Sequence, residues 1–145
     1  MTKHLKPRLK RFHAIEVTRI AIGNRKLVYV LIADKKYRYR LGRSTVAYIG
    51  TTKKGIRRVA SSVAHHAEDI LGKYRVKKIM ARIVTCPPRP GVKSWVKLER
   101  AMLLAFRAQY GEVPIHNLQG NKIKETDEYE YFRREAVRKL ILELG

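Results

Sequence analysis

Residues 47–50, Ala47-Tyr48-Ile49-Gly50, with Arg58 ten positions after the tyrosine, are the stretch from which the fold is read. A short apolar strand places a tyrosine beside a glycine turn, and Lys53, Lys54, Arg57 and Arg58 open a helix directly after it. A phenol and several cations therefore converge on one region. Both group types engage phosphodiester oxygens, the phenol by hydrogen bonding and the cations by charge-assisted contacts.

Upstream of this strand the pattern is extended. Ile15-Glu16-Val17 and Ile20-Ala21-Ile22 lead into a Gly23-Asn24 turn signal, and residues 27–32 (LVYVLI) read as a buried strand. A polar turn is expected at Asp34-Lys35-Lys36. Tyr37-Arg38-Tyr39-Arg40 then alternates strictly, with one aromatic and one basic face, and Gly42-Arg43-Ser44 turns the chain into the Val46–Gly50 strand. Either the tyrosines face the core and the arginines face water, or the stretch is a nucleic-acid surface with tyrosines free to stack on bases.

Downstream the period becomes helical. Ile56, Val59, Ala60, Val63, Ala67, Ile70 and Leu71 recur at three- and four-residue steps up to Gly72, with Arg58, Ser62, His65 and Asp69 on the opposite stripe. Residues 77–85 predict another strand, closed by Pro87-Pro88-Arg89-Pro90-Gly91. A second helix is expected from about Ser94 to Tyr110, stopped by Gly111. A third is expected from near Asp127, with Glu130 placed for a capping box and Tyr129, Phe132, Ala136, Leu140 and Leu144 on one face. Ile141 and Leu142 are then exposed apolar positions open to a partner. The predicted class is α+β: a small, mostly antiparallel sheet flanked by helices, with an N-terminal basic arm and hairpin and an added C-terminal helix. Residues 1–26, 27–118 and 119–145 form the arm with its hairpin strand, the central domain and the extension of one folded unit.

Charge narrows the function. The chain has 145 residues and a formal net charge of +21; residues 1–98 carry 25 Lys and Arg against four carboxylates, whereas residues 99–145 carry eight of each. An excess confined to one part of a chain points to a polyanion, because neutralised phosphates release counterions. The first twelve residues form a basic arm, either a disordered polycation or a segment that a polyanion orders. No run of 18 apolar residues appears, the N-terminal residues lack the apolar stretch of a secretory signal, and the single cysteine, Cys86, suits a reducing interior. The expected setting is cytoplasmic, associated with a nucleoid or a ribosome, with nucleic acid (DNA or structured RNA) as partner, a ribonucleoprotein assembly as a further candidate, and no membrane. A membrane-surface role would need a long basic amphipathic helix with exposed aromatics, which is missing.

One residue breaks the pattern of the second helix. Its apolar face is Trp95, Leu98, Met102, Phe106 and Tyr110, with Leu103 at the edge; Glu99 projects within that face, while Lys97, Arg100 and Arg107 point away. An unpaired buried carboxylate costs several kcal/mol, so Glu99 requires a cation, a metal or a water-lined cleft. A structural salt bridge to an arginine from the sheet would also satisfy it.

Taken in order, these residues resemble the GIY-YIG nuclease superfamily. Tyr48-Ile49-Gly50 is similar to its second motif, Arg58 to its phosphate-binding arginine, Glu99 to its metal-binding glutamate, and Asn117, after Pro114-Ile115-His116, to the asparagine that closes its domain. Val28-Tyr29-Val30 stands where the first motif belongs, with Tyr29 as its tyrosine and without the opening glycine. Ser62 stands where a histidine is often found one turn after the arginine, with His65 and His66 as displaced substitutes. The resemblance spans residues 27–118. It implies a divalent-metal-dependent endonuclease acting on DNA, with one Mg²⁺ or Mn²⁺ on Glu99, Arg58 on the phosphoryl oxygens, and Tyr48 or Tyr29 helping to activate water. Arg38, Arg40, Arg43, Lys53, Lys54, Arg57 and Asn117 are the candidate nucleic-acid contacts. A free phenol titrates near 10, so Lys53, Arg57 or the metal must favour its ionised form. The rival reading is a non-catalytic RNA-binding protein, such as a ribosome or ribonucleoprotein component, that retains the scaffold. Residue by residue, the alternatives are ordinary core or sheet tyrosines at Tyr29 and Tyr48 and a solvated helix face for the His65-His66 pair.

Overall fold

Residues 27–33 are all buried, and because side chains alternate sides along a strand, both faces of this segment are covered. They begin strand β1, Leu27–Tyr39, the centre of a three-stranded antiparallel sheet in the order β2-β1-β3. Strand β2 is Gly42–Thr52 and β3 is Ile79–Val84. Helix α1, Ile56–Leu71, follows β2, and α2, Ser94–Tyr110, follows β3; two further helices, α3 (Glu128–Tyr131) and α4 (Arg134–Leu144), complete the chain. This computed structural model describes residues 3–118 and 120–145, so Met1 and Thr2 of the arm and Gln119 of the extension lie outside the described residues. The molecule is thus an α+β fold with a small antiparallel sheet flanked by helices, as its periodicities predict. None of its described helices is long and apolar enough to cross a membrane.

The ends of α1 and α2 fall where Gly72 and Gly111 place them, and Gly111 adopts the left-handed conformation (φ 81°) that closes a helix at low strain. Other expectations are corrected. Asp34-Lys35-Lys36 is not a turn. These residues stay exposed within β1 as an irregularity between the Ile32↔Val46 and Tyr37↔Ser44 pairs, which lets three charges leave the sheet without ending the strand. The chain reverses instead at Arg40-Leu41, inside the Tyr39↔Gly42 pair, so Gly42 opens β2.

The N-terminal segment makes no hairpin strand either. Residues 3–26 hold one 3-10 turn, Arg19–Ala21, and only Ala21 reaches the core; Ile15, Val17, Ile20 and Ile22 are exposed. The outward edge of β2, where a further strand could pair, is taken by the loop after α2: the His116 N–H donates to the Ala47 carbonyl, and Asn117 binds Ile49.

The C-terminal helix is broken. One turn ends at Phe132, whose backbone is extended, and α4 starts afresh at Arg134. The interruption resets the helical phase, so Val137, Ile141 and Leu144 face the core and Ile141 is fully buried; Leu142 is the exposed one. The expected capping box at Asp127 and Glu130 is absent, because the Asp127 carboxylate is held by Lys97 Nζ at 2.7 Å instead. Val137, Ile141 and Leu144 share one hydrophobic core with β1 and α2.

Tyr37 and Tyr39 point inward and Arg38 and Arg40 outward, which settles the alternating stretch and leaves no tyrosine there free to stack on a base. Tyr39 packs edge-on against Phe106, with ring centroids 5.0 Å apart. Its hydroxyl donates to the Val46 carbonyl at 2.6 Å and accepts the Ile115 N–H at 3.1 Å, tying the loop after α2 to the sheet.

Candidate functional site

Gly50 builds the site by what it lacks. It lies directly across the ladder from Tyr29, and a Cβ placed on it would sit 2.6 Å from Tyr29 Cζ and 2.6 Å from Tyr48 Cε1. Both rings therefore rest on its bare backbone, with centroids 6.0 Å apart. Tyr29 is buried, while Tyr48 is half-buried and turned to a cleft. A methyl group at position 50 must displace at least one ring. We expect Gly50→Ala to cost about 1–3 kcal/mol, read as a lower urea midpoint, and to shift the near-ultraviolet tyrosine signal.

The cleft has a volume of about 810 Å³ and draws its walls from four segments: Tyr48 and Ile49 of β2, Arg58, Ser62, His65 and His66 of α1, Glu99 and Arg100 of α2, and the loop through His116 and Asn117. Of the sequence-predicted residues, Tyr48, Arg58, Glu99 and Asn117 meet here, and Tyr29 stands behind Tyr48. Lys53, Lys54 and Arg57 are exposed by the start of α1 outside the lining, and so are Arg38, Arg40 and Arg43 near the hairpin tip. Arg43 lies five residues along β2 from Tyr48, roughly 16 Å at about 3.3 Å per residue. The cations expected at one point are therefore spread along the molecule.

Glu99 and its neighbour Arg100 have opposite fates. Among the described residues no side chain or backbone group hydrogen-bonds or pairs with the Glu99 carboxylate, and burial pushes its pKa up to about 7 against the weaker opposing pull of Arg100. Arg100 Nε instead binds the fully buried Glu128 at 2.6 Å, and its Nη2 donates to the Lys124 carbonyl at 2.6 Å. Burial alone would raise the Glu128 carboxyl. The Arg100 guanidinium, then the Thr126 N–H, outweigh it and hold Glu128 down at about 2. Lys97 and Arg107 work alongside Arg100: Lys97 pairs with Asp127, and Arg107 Nη1 donates to the Asn121 and Ile123 carbonyls. The polar stripe of α2 thus clamps residues 121–128, which carry part of the cleft wall.

Burial also pushes the Tyr48 phenol up to about 12, helped by the adjacent Tyr29 hydroxyl and by Glu99; Arg58 opposes this and loses. The expectation that cations favour an ionised Tyr48 is therefore reversed in the protein alone, and the phenol is a hydrogen-bond donor there. His66 stacks on Tyr48, with ring centroids 4.5 Å apart, and stands 5.9 Å from the ring of His116. Burial lowers both imidazoles below their ordinary value, and His65 and His116 reinforce this at His66. Ser62 is buried on the side of α1 that helical periodicity assigned to water, and His66 is half-buried at the cleft. His116 carried no periodic signal; only its place beside Asn117 pointed to it.

The amide of Asn117 is committed to the sheet edge. Its Oδ1 accepts the Ile49 N–H at 2.9 Å, and its Nδ2 donates to the Ile49 carbonyl at 2.8 Å, so the side chain mimics a neighbouring peptide. It holds the strand that carries Tyr48 against the loop after α2. Asn117→Ala should cost about 1–3 kcal/mol by leaving both Ile49 groups unpaired, measurable by urea unfolding, and should speed hydrogen exchange at the Ile49 amide.

No family model matches this chain, and comparisons with curated proteins and with solved structures find no match either.

Proposed function

We propose that the chain is a nucleic-acid-binding protein whose cleft carries out divalent-metal-dependent cleavage of a DNA phosphodiester. The observation that carries this reading is the unpaired Glu99 carboxylate. In a chain with 33 Lys and Arg against 12 acids, a half-buried glutamate whose next-door arginine serves another carboxylate is a site kept open for a cation.

The donor set limits which cation fits. Among the described residues no group of three or more His, Cys, Asp or Glu is arranged to hold a metal, so a tetrahedral zinc cage has no basis. One carboxylate suits a hard ion that keeps several waters and completes its shell from a substrate phosphate, as Mg²⁺ or Mn²⁺ does. Bound there, the ion would polarise the scissile phosphate and stabilise the leaving oxygen. The residues of the chain supply the rest. Arg58, on the cleft wall, offers its guanidinium to the phosphoryl oxygens. Tyr48, protonated, donates a hydrogen bond to the same group. His66, neutral near physiological pH, is the adjacent side chain able to accept a proton from water.

The burial of Tyr48 favours one other reading, a non-catalytic RNA-binding protein that keeps the scaffold without a phenolate. Nicking of supercoiled plasmid in Mg²⁺ or Mn²⁺ separates the two. The proposal expects nicking by the wild type and loss of it in Glu99→Gln and Arg58→Ala. Tight, salt-sensitive RNA binding with no cleavage of any DNA or RNA would overturn it in favour of the second reading.

A further inference from the structure

The N-terminal segment is the largest part of the chain that the fold leaves unused. Residues 3–26 carry eight Lys and Arg (Lys3, Lys6, Arg8, Lys10, Arg11, Arg19, Arg25 and Lys26) against Glu16 alone. Apart from Ala21, every residue in that stretch is exposed, including Leu5 at 95%, Leu9 at 99%, Phe12 at 79% and Ile15 at 85%. Among the described residues, 3–24 make no hydrogen bond to the body of the protein. A segment with this charge resists collapse on itself, and its large apolar side chains stay exposed.

Its root, in contrast, is fixed, and in an informative place. The Gly55 N–H donates to the Arg25 carbonyl at 2.9 Å, and Lys26 Nζ lies 4.6 Å from the centre of the Trp95 ring. Gly55 is the N-cap of α1, flanked by the exposed Lys53, Lys54 and Arg57, and Arg58 in the next position reaches the cleft. Exposed cations therefore link the cleft, at Arg58, to the root of the arm over the start of α1.

We infer that the arm is a second nucleic-acid contact that lies in the minor groove of duplex DNA beyond the segment held by the cleft. The inference rests on the proposed function. A chain that is irregular apart from the one 3-10 turn at Arg19–Ala21 is narrow enough for a groove about 6 Å wide, where arginine and lysine read the negative potential and apolar side chains pack against sugars and base steps. The minor groove of an RNA duplex is wide and shallow and offers such a chain no comparable walls. The arm extends the footprint by up to roughly 3.3 Å per residue and favours the narrow minor groove of A·T-rich steps.

The test uses the full chain with Lys3→Gln, Lys6→Gln, Arg8→Gln, Lys10→Gln and Arg11→Gln together. All five positions are exposed, so the substitutions should leave the folded body intact. Binding to a 40-base-pair DNA duplex is measured across a salt series, beside Arg58→Ala, an RNA hairpin and vesicles containing phosphatidylserine. Each phosphate contact contributes about 0.9 to the slope of log K against log salt. The variant should therefore lose about 3–5 from that slope on DNA and bind at least tenfold more weakly at 100 mM salt. Arg58→Ala should change the slope by about one at most. At saturating protein, plasmid nicking by the arm variant should match the wild type. A slope within about one of the wild-type value overturns the arm assignment and leaves the cleft reading standing. Loss confined to the RNA hairpin or to the vesicles assigns the arm to that partner and likewise overturns it. A wild type that binds no DNA removes both proposals at once.

Discussion

Glu99→Gln is expected to abolish metal-dependent nicking while making the protein without metal more stable at neutral and alkaline pH. On the proposed function, the functional loss should be at least about 10²–10³-fold, because the ion would supply several kcal/mol of charge stabilisation and this carboxylate would be its anchor. The gain in stability follows from the pKa near 7, raised by burial from the ordinary 4.5. Between those two values the folded state holds the proton that the unfolded state has released, so stability falls as pH rises from about 4.5 to about 7 and stays low above it. The full penalty is about 3 kcal/mol. The glutamine variant has no proton to lose, so urea melts should place it about 2–3 kcal/mol above the wild type at pH 8 and close to it at pH 4. Added Mg²⁺ or Mn²⁺ should raise the melting temperature of the wild type and leave the variant unchanged, a readout independent of cleavage. Equal stability of the two proteins at pH 8 would mean that Glu99 has a partner in solution, and the argument for a cation site would fail with it.

Arg100→Ala should be the most destabilising single substitution outside the apolar core. It leaves the fully buried Glu128 carboxylate without its cation and frees the Lys124 carbonyl from the clamp. Uncompensated buried carboxylates of this kind cost about 3–5 kcal/mol. The two hydrogen bonds from Thr126 to Glu128 remain, so the lower end, with a fall of about 10 °C in melting temperature, is expected. The pair is also visible in acid. Glu128 is held at about 2 against an ordinary 4.5, so its contribution is complete above pH 4.5 and is lost as pH falls through that window. Arg100→Ala should flatten this acid limb. Arg100→Met combined with Glu128→Met should recover most of the stability, since well-packed apolar pairs often replace buried ion pairs without loss. If the single variant melts within about 1 kcal/mol of the wild type, the clamp on residues 121–128 is not what holds the cleft wall. Removing Arg100 also takes away the charge that opposes the rise at Glu99, so metal binding should move to higher pH in the same variant.

These two glutamates mark where sequence reading stops. Glu99 could be singled out because one helical period places it among Leu98, Met102 and Phe106, a local conflict that needs no tertiary knowledge. Glu128 and Arg100 are 28 residues apart and each is unremarked by its own neighbourhood; only the packing of the extension against α2 pairs them. His66 and His116 are a similar case, since their meeting with Tyr48 depends on three different segments closing round one cleft.

The sequence by itself determined the α+β class, the limits of α1 and α2, the buried strand at residues 27–32 and the order of Tyr48, Arg58, Glu99 and Asn117 along the chain. Each of these rests on spacing or capping within a few residues, where backbone geometry fixes the outcome. Tertiary structure alone decided that Asp34 stays within β1, that the C-terminal helix breaks and re-phases, that the arm joins no sheet edge, and that Arg100 serves Glu128 while Glu99 stays unpaired. All of these are choices among competing long-range partners, settled by which groups the closed core brings within reach and which it leaves to water or to a ligand.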